Sequence, residues 1–277
     1  MNVHESRSET HRLLIVSDIP AVMGLSSLAG WNQTAEDWRM LIDLDPEGCF
    51  AVEVEGNLAA TTTLQCYGNR LAWIGMVLTK PEYRRLGLAR KLLARALERV
   101  CELKISTVKL DATEQGQPLY ESLGFRAEQV VERWSRSGFS AVQPKTTDCG
   151  WSECWQKFDT EAFGADRSRL LRRLAERNPP LATDQAYLFS RTGRVSSYIG
   201  PCVAKDRASA RKVIEQCLRT TKALGWFWDL IPENHDAVAI ARELGFVPQR
   251  RLLRMVRGND LRDKEELTYA IAGFEFG

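Results

Sequence analysis

Histidine, paired cysteine motifs, long apolar runs and excess charge are all scarce in this sequence of 277 residues. Its three histidines (His4, His11 and His235) are scattered, so a histidine-based metal site or catalytic triad is not expected. No run of about 18 apolar residues occurs, so no transmembrane helix is predicted. Residues 1–11 are polar and lack the apolar core of a signal peptide, and we expect them to form a disordered tail.

The cysteine count and the charge balance exclude further classes. The seven cysteines are odd in number and form no C-x-x-C pair, so neither a disulfide framework nor a zinc pattern is predicted, and a reducing cytoplasm fits best. A net charge of +2 gives no general reason to expect nucleic acid or an anionic membrane as partner. The apolar content of 44% is enough for a packed core, and the length suits one large domain or two ordinary ones.

The stretch from Trp73 to Val100 carries the strongest signal. Trp73 to Leu78 is an apolar run of strand length, and a basic turn from Tyr83 to Ala89 follows it. The next residues predict a helix with one apolar face, because large or small apolar side chains recur at the helical period: Leu88, Leu92, Leu93, Ala96, Leu97 and Val100.

The start of this helix is suited to bind an anion with several oxygens. The first backbone N–H groups of a helix lack partners within it, and the helix dipole adds partial positive charge. Gly87 and Ala89 are small enough to let a ligand approach the backbone. Arg84, Arg85 and Arg90 add full positive charge. The turn therefore predicts a pyrophosphate site, although it is neither a P-loop nor the dinucleotide fingerprint. The alternative is a basic helix start that is only solvated.

Arg84-Arg85-Leu86-Gly87-Leu88-Ala89 resembles the signature Q/R-x-x-G-x-G/A of the GNAT superfamily, the acetyl-CoA-dependent N-acetyltransferases. The resemblance implies acetyl-CoA as co-substrate and no metal. It also implies that strand N–H groups bind the thioester carbonyl and the pantetheine, while the helix start binds the diphosphate. The residues that would bind the cofactor are Met76, Val77, Leu78, Arg84, Arg85, Leu86, Gly87, Leu88, Ala89, Arg90 and Thr113.

A second motif, Leu119-Tyr120-x-x-Leu123-Gly124-Phe125, also resembles GNAT enzymes. In that family the tyrosine lies beside the cofactor sulfur and can protonate the leaving thiolate, which makes Tyr120 the catalytic candidate. A phenol with a pKa of about 10 stays protonated at neutral pH and can serve as the acid. The alternative is a core tyrosine whose hydroxyl binds a backbone group. Thr113 stands near the place where many family members carry an asparagine that contacts the pantetheine.

An internal repeat predicts two copies of one fold. Trp73-Ile74-Gly75 is echoed by Tyr198-Ile199-Gly200, and Leu123-Gly124-Phe125 by Leu244-Gly245-Phe246. We therefore expect an α/β (α+β) protein of two tandem GNAT-like domains, each with a mixed, mostly antiparallel sheet flanked by helices. The expected boundaries are residues 1–135 for the first domain, 136–150 for a linker and 151–277 for the second domain.

The second copy departs from the first at the expected site. Residues 203–210 contain no glycine, and Asp206 would repel a phosphate there. Ala239 and Ile240 lie where the second copy would need a tyrosine. We therefore expect that this domain does not bind acetyl-CoA and that it completes or covers the acceptor pocket. Residues 269–276 are predicted to form a final strand.

The expected reaction is direct acetyl transfer to a primary amine of a small molecule, with both substrates bound together. Glu36, Asp37, Asp111 and Glu114 are unranked candidates for the base, and no cysteine lies in a nucleophile motif. The alternatives are a protein or peptide N-acetyltransferase and a non-catalytic acyl-CoA-binding sensor. A homodimer is possible. Trp31 and Trp38 either form an acceptor wall or pack in the core.

Overall fold

The computed structural model of the protein describes residues 8–138 and 153–277. Within them the first half contains β1 Glu9–Leu13, α1 Ile19–Leu28, α2 Ala35–Leu44, β2 Cys49–Val54, β3 Asn57–Tyr67, β4 Leu71–Thr79, α3 Leu88–Glu102, β5 Thr107–Ala112, α4 Gln117–Glu121 and β6 Arg126–Ser137. The second half contains α5 Glu153–Phe163, α6 Ser168–Arg177, β7 Leu181–Ala182, β8 Ala186–Arg191, β9 Ser197–Ala204, α7 Arg207–Thr220, β10 Gly225–Leu230, α8 His235–Glu243, β11 Val247–Gly258 and β12 Thr268–Ala270.

The two halves repeat one order of elements. From α1 to β6 and again from α5 to β11 the chain forms two helices, three strands, a long helix, a strand, a short helix and a long strand. The predicted α/β class, with a mixed and mostly antiparallel sheet flanked by helices, is confirmed. Most of the predicted linker, residues 139–150, lies outside the described residues, and its first residues, Arg136 and Ser137, belong to β6.

Two predicted segments are wrong. Of the expected disordered tail, residues 1–7 lie outside the described residues, whereas residues 9–11 belong to β1, which pairs antiparallel with β2. This strand left no signal in the sequence because it is a mostly exposed edge strand and is polar; Arg12 binds Glu53 and Asp18 at 2.6 and 2.7 Å. The predicted final strand over residues 269–276 ends at Ala270, since Gly273 adopts a φ of +137° and turns the chain.

The twelve strands form one continuous sheet in which the halves exchange their last long strands. The order is β1-β2-β3-β4-β5-β11-β6-β10-β9-β8-β7, and β12 pairs with β9 beside this path. Strand β11 lies between β5 and β6, while β6 lies between β11 and β10. The parallel pairs are β4 with β5 and β9 with β10. Neither half therefore has a complete sheet of its own, although the domain boundaries themselves stay a prediction.

Buried ion pairs hold the exchanged strand β11 against the first half. The Arg254 guanidinium, which is fully buried, donates to Asp111 on β5 at 2.9 Å and to Asp263 at 2.8 Å. Lys109, also on β5, donates to Asp263 at 2.8 Å. The Arg254 guanidinium further lies over the Trp73 ring at 4.7 Å. These contacts compensate the desolvation of charges that the exchange buries.

Both halves also contribute to one hydrophobic core on the face that carries α1, α2, α5 and α6. Trp38 is fully buried there and donates its indole N–H to Ser26, so Trp38 is a core residue and not part of an acceptor wall. The members of this core come from both halves and include Leu41, Trp73, Phe163, Leu171, Tyr187 and Phe276. Helix α3 packs its predicted apolar face on the opposite side of the sheet. Among the described residues no helix is long and apolar enough to cross a bilayer.

Replacing Arg254 with Met should lower the free energy of unfolding by about 3–5 kcal/mol, because Asp111 would keep a buried charge without its partner and Asp263 would keep only Lys109. Urea unfolding of the whole chain measures this. The matched control is Arg95→Met, since Arg95 pairs with Glu98 on the exposed surface of α3, and its effect should stay within about 0.5 kcal/mol. Equal stability of the two variants would contradict the importance of the buried pairs.

Candidate active site

The cavity of interest opens where β4 and β5 part. These parallel strands pair from Leu71 with Thr107 to Trp73 with Lys109 and not beyond. A cavity of about 680 Å³ lies past this point and is lined by β4 from Ile74 to Thr79 on one side. Because β4 is not paired with β5 here, its backbone groups on that side remain available to a ligand.

A β-bulge changes the orientation of the peptide groups of β4 at this position. Thr61 pairs with Leu78 and Thr63 with Gly75, so β4 carries one extra residue. Met76 adopts a φ of +50°, and its carbonyl accepts a hydrogen bond from the Thr61 hydroxyl at 2.8 Å. A positive φ in a non-glycine residue costs about 1 kcal/mol or more. The three predicted strand residues Met76, Val77 and Leu78 all line the cavity.

The start of α3 faces the same cavity without a side-chain cap. Its N-cap is Gly87 at a φ of +77°, and the first bond of the helix runs from the Lys91 N–H to the Gly87 carbonyl at 3.1 Å. The space around Gly87 is open: a Cβ there would meet no atom within 4 Å. The predicted phosphate residues that line the cavity are Arg84, Arg85, Gly87, Leu88, Ala89 and Arg90. Leu86 is not among them and is 45% exposed.

Tyr120 lines the cavity from α4. It is 8% exposed and packs edge-to-face on Phe125 with a ring separation of 6.1 Å. No protein group among the described residues binds its hydroxyl, so the predicted alternative of a hydroxyl tied to the backbone does not occur there. Burial raises the pKa of Tyr120 above its ordinary value of 10.0, so the phenol stays protonated. Thr113 also lines the cavity, and its hydroxyl accepts the Gly116 N–H at 3.2 Å.

Of the four predicted base candidates only Asp111 lines the cavity, and both of its oxygens bind Arg254. Asp37 is buried in the cap of α2, where it accepts from the Thr34 N–H at 2.8 Å, and it also binds Arg177 at 2.7 Å. Glu36 and Glu114 are exposed and lie outside the cavity lining. The side chains predicted for this role are therefore not brought together.

A carboxylate that the sequence did not single out reaches the cavity from the far end of the chain. Residues 271–277, here termed the 271–277 segment, lie across β4, and an added Cβ on Gly75 would be 3.0 Å from the Glu275 Cα. The Glu275 carboxylate accepts from Arg191 at 2.7 Å and from the Gln33 amide at 3.0 Å. Burial raises the pKa of Glu275, and Arg191 opposes this effect. A glycine within the predicted strand, Gly273, was the available signal that the chain turns here.

Both halves also supply cations and apolar groups to the cavity. Arg133 of β6 and Arg250 of β11 line it and lie directly opposite each other in the sheet. Phe274 stacks on the Arg133 guanidinium at 4.7 Å. Trp31 lines the cavity, in contrast to Trp38. Among the described residues no cluster of three or more His, Cys, Asp and Glu side chains is arranged to hold a metal ion.

The corresponding place in the second half is filled by the chain itself. Strand β12 pairs with β9 at Val203 and Cys202, past the pairing of β9 with β10. The Ile271 N–H then donates to the Asp229 carbonyl on β10 at 3.0 Å. At the start of α7 the Asp206 carboxylate accepts the Ser209 N–H at 2.8 Å, whereas the start of α3 has no side-chain cap. These contacts favour the prediction that the second copy does not bind acetyl-CoA.

Comparison with known proteins agrees with the two halves. A model of the GNAT acetyltransferase family matches residues 21–125, and a model of an acetyltransferase (GNAT) domain matches residues 156–270. An uncharacterized N-acetyltransferase of Bacillus subtilis, YitH, is 31% identical over 162 residues, which is 56% of this chain and 56% of that protein. The match thus spans little more than half the length of that curated relative.

Solved structures show the same fold at low sequence identity. A candidate acetyltransferase from Pyrococcus horikoshii superposes with a TM-score of 0.84 over 100% of this chain and 99% of that one, at 22% identity. A GCN5-related N-acetyltransferase from Sphaerobacter thermophilus gives 0.63 over 92% and 97% of the chains at 16% identity. A tandem GNAT protein from the clavulanic acid biosynthesis pathway gives 0.58 over 92% and 100% at 15% identity. The chain therefore belongs to the GNAT acetyltransferase family and contains two GNAT domains in tandem.

Proposed function

We propose that the protein transfers an acetyl group from acetyl-CoA to a primary amine of a small molecule, with both substrates bound in the cavity of the first half. The observation that carries this proposal is the uncapped start of α3, which opens onto the cavity that also contains the Tyr120 side chain. Acetyl-CoA supplies the activated acyl group as a co-substrate. The residues that line the cavity fit such a ligand, since they combine free helix N–H groups, arginines and an unpaired strand edge.

The binding roles follow from the local chemistry. The backbone at the start of α3, with Arg84, Arg85 and Arg90, holds the diphosphate. The bulged strand from Met76 to Leu78 offers N–H groups to the pantetheine and to the thioester carbonyl, whose oxygen gains negative charge during transfer. Thr113 can donate its hydroxyl hydrogen to the pantetheine while its oxygen accepts from Gly116.

Tyr120 is the proposed acid. Its buried phenol keeps its proton at neutral pH and can donate to the thiolate that leaves when the acetyl group moves to the amine. No protein acceptor among the described residues competes for that proton. The non-catalytic sensor is therefore the weaker alternative, because a sensor has no need of a free phenol at this position.

Glu275 is the proposed source of negative charge on the acceptor side. Its side chain is only 2% exposed and is held by Arg191 and Gln33, so it acts on the amine through its charge and by positioning Gln33, and does not take the proton of the amine itself. Because burial raises its pKa, Glu275 loses this charge at a higher pH than an ordinary carboxylate does.

A small acceptor is favoured over a protein lysine or N-terminus because the second half walls the cavity. Phe274 and Arg250 of the second half line it together with Arg133 of β6. The predicted homodimer and cytoplasmic location stay predictions.

The double variant Arg84→Glu with Gly87→Glu should abolish acetyl-CoA binding in calorimetry, because two carboxylates would occupy the proposed diphosphate site. Arg95→Glu is the matched control: it reverses one charge on the same helix outside this cavity and should leave affinity unchanged. Retained affinity in the double variant would count decisively against the site.

Tyr120→Phe should lower kcat by roughly 100-fold while leaving the acetyl-CoA Kd nearly unchanged, because only the proton donor is removed. Since burial raises the pKa of Tyr120, the wild-type rate should show no loss from Tyr120 ionisation below its ordinary value of 10.0. Steady-state kinetics across pH, with calorimetry on the same samples, measure both. Equal kcat values would remove Tyr120 from the mechanism.

Glu275→Gln should lower kcat/KM for the amine roughly tenfold or more and leave the acetyl-CoA Kd unchanged. In the wild type the rate should fall as pH drops through the raised pKa of Glu275, because protonation removes its charge. The pH–rate profile of the variant should not show this fall. Glu266→Gln, at an exposed glutamate of the same chain region, is the control. An unaltered pH profile in Glu275→Gln would refute the role.

A further inference from the structure

We propose that the acceptor is an amine that also carries an acidic group, and that Arg250 binds that group. This inference rests on the proposed acetyl transfer and specifies its acceptor. The cavity wall has a charge imbalance: two guanidinium groups line the side formed by β6 and β11, and among the residues that the structure describes only one of them has a carboxylate partner.

Arg250 is the cation without a partner. It is partly buried and lines the cavity, and none of the described residues forms a hydrogen bond or an ion pair with it. Burial and the neighbouring charge of Arg133 lower the pKa of Arg250. A guanidinium remains charged in spite of this, so the folded protein retains a partly desolvated cation that an anionic ligand would stabilise.

The nearby carboxylate of Asp229 opposes the lowering of the Arg250 pKa through its charge but does not bind Arg250. Asp229 on β10 accepts from Arg133 with both oxygens, at 2.7 Å each. Arg133 is itself fixed between the rings of Phe227 and Phe274, at 4.8 and 4.7 Å. Arg133 therefore already has a two-pronged carboxylate partner, whereas the guanidinium of Arg250 can still bind a carboxylate in this geometry.

The position of Arg250 assigns it to the acceptor and not to the cofactor. Arg250, Leu252 and Arg254 alternate along β11 and therefore point to one face of the sheet, the face on which Arg254 meets Trp73. Helix α3, whose start is proposed to bind the diphosphate, packs on the opposite face, and β5 separates β11 from β4.

The other residues that line the cavity indicate how the acceptor is oriented in it. Glu275 is the negative group near β4 and attracts an ammonium, while Arg250 is the positive group farther along the wall. Leu252 and Phe274 provide apolar lining. An acceptor with an amine at one end, an apolar middle and an acid at the other end matches this arrangement.

The test is a panel of α-amino acids and of ω-amino acids of increasing length, each paired with its own carboxamide, assayed for CoA release. We expect the wild type to prefer the acid of the best pair by about tenfold or more in kcat/KM. Arg250→Gln should remove this preference by slowing the acid and not the amide, and Arg250→Lys should restore part of it. Arg251→Gln, next in the chain and exposed, is the control and should behave as wild type.

Each outcome has one meaning. Equal use of acids and amides by the wild type, or an unchanged preference in Arg250→Gln, overturns the inference and leaves the proposed acetyl transfer intact. A weaker acetyl-CoA Kd in Arg250→Gln also overturns it, since Arg250 would then serve the cofactor. Absence of turnover on every amine, with acetyl-CoA still bound, overturns the proposed function together with the inference.

Discussion

The structure depends on the parting of two parallel strands. Strands β4 and β5 stay paired only as far as Trp73 and Lys109, and everything assigned to the site lies past that point. Unpaired backbone in a protein interior costs free energy unless something satisfies it. The bulge at Met76, the uncapped start of α3 and the open space at Gly87 all face the resulting gap. A ligand with its own amides and phosphates is the natural partner for such a surface.

The second half shows the other solution to the same constraint. Strands β9 and β10 also part, but β12 and Ile271 fill the gap with the chain's own backbone. Beyond Ile271 the segment continues over Gly75 and delivers Glu275 to the first half's cavity. The chain from β12 through the 271–277 segment thus fills the gap between β9 and β10 and lines the cavity between β4 and β5. The two halves therefore cannot be separated without exposing a core and dismantling the acceptor side of the site.

Local signals in the sequence were sufficient to predict the turn and the tyrosine that line the cavity from the first half, and insufficient for the rest of the lining. The Arg84–Ala89 turn and the Tyr120 motif could be predicted because each lies within a few residues of its own strand–helix junction. The repeat of glycine-containing motifs predicted the tandem fold. The exchange of β6 and β11 left no such trace, because a strand with the right alternation fits beside either half. Glu275 was missed for the same reason: its role depends on contacts with Gln33 and Arg191, which are remote in sequence.

The buried and partly buried arginines of the molecule differ in whether a carboxylate pairs with them. Those with a partner stabilise the fold, whereas one without a partner among the described residues faces the cavity. Arg254 and Arg133 are cations buried on this side of the sheet, and each is matched by carboxylates across an exchanged strand. Those pairs hold β11 against β5 and β6 against β10. Arg250 lies on the same strand as Arg254, next to Arg133, and lacks this compensation. Since a folded protein gains nothing from an unpaired and partly desolvated guanidinium, its persistence at the cavity wall is best explained by an anion that arrives with the acceptor.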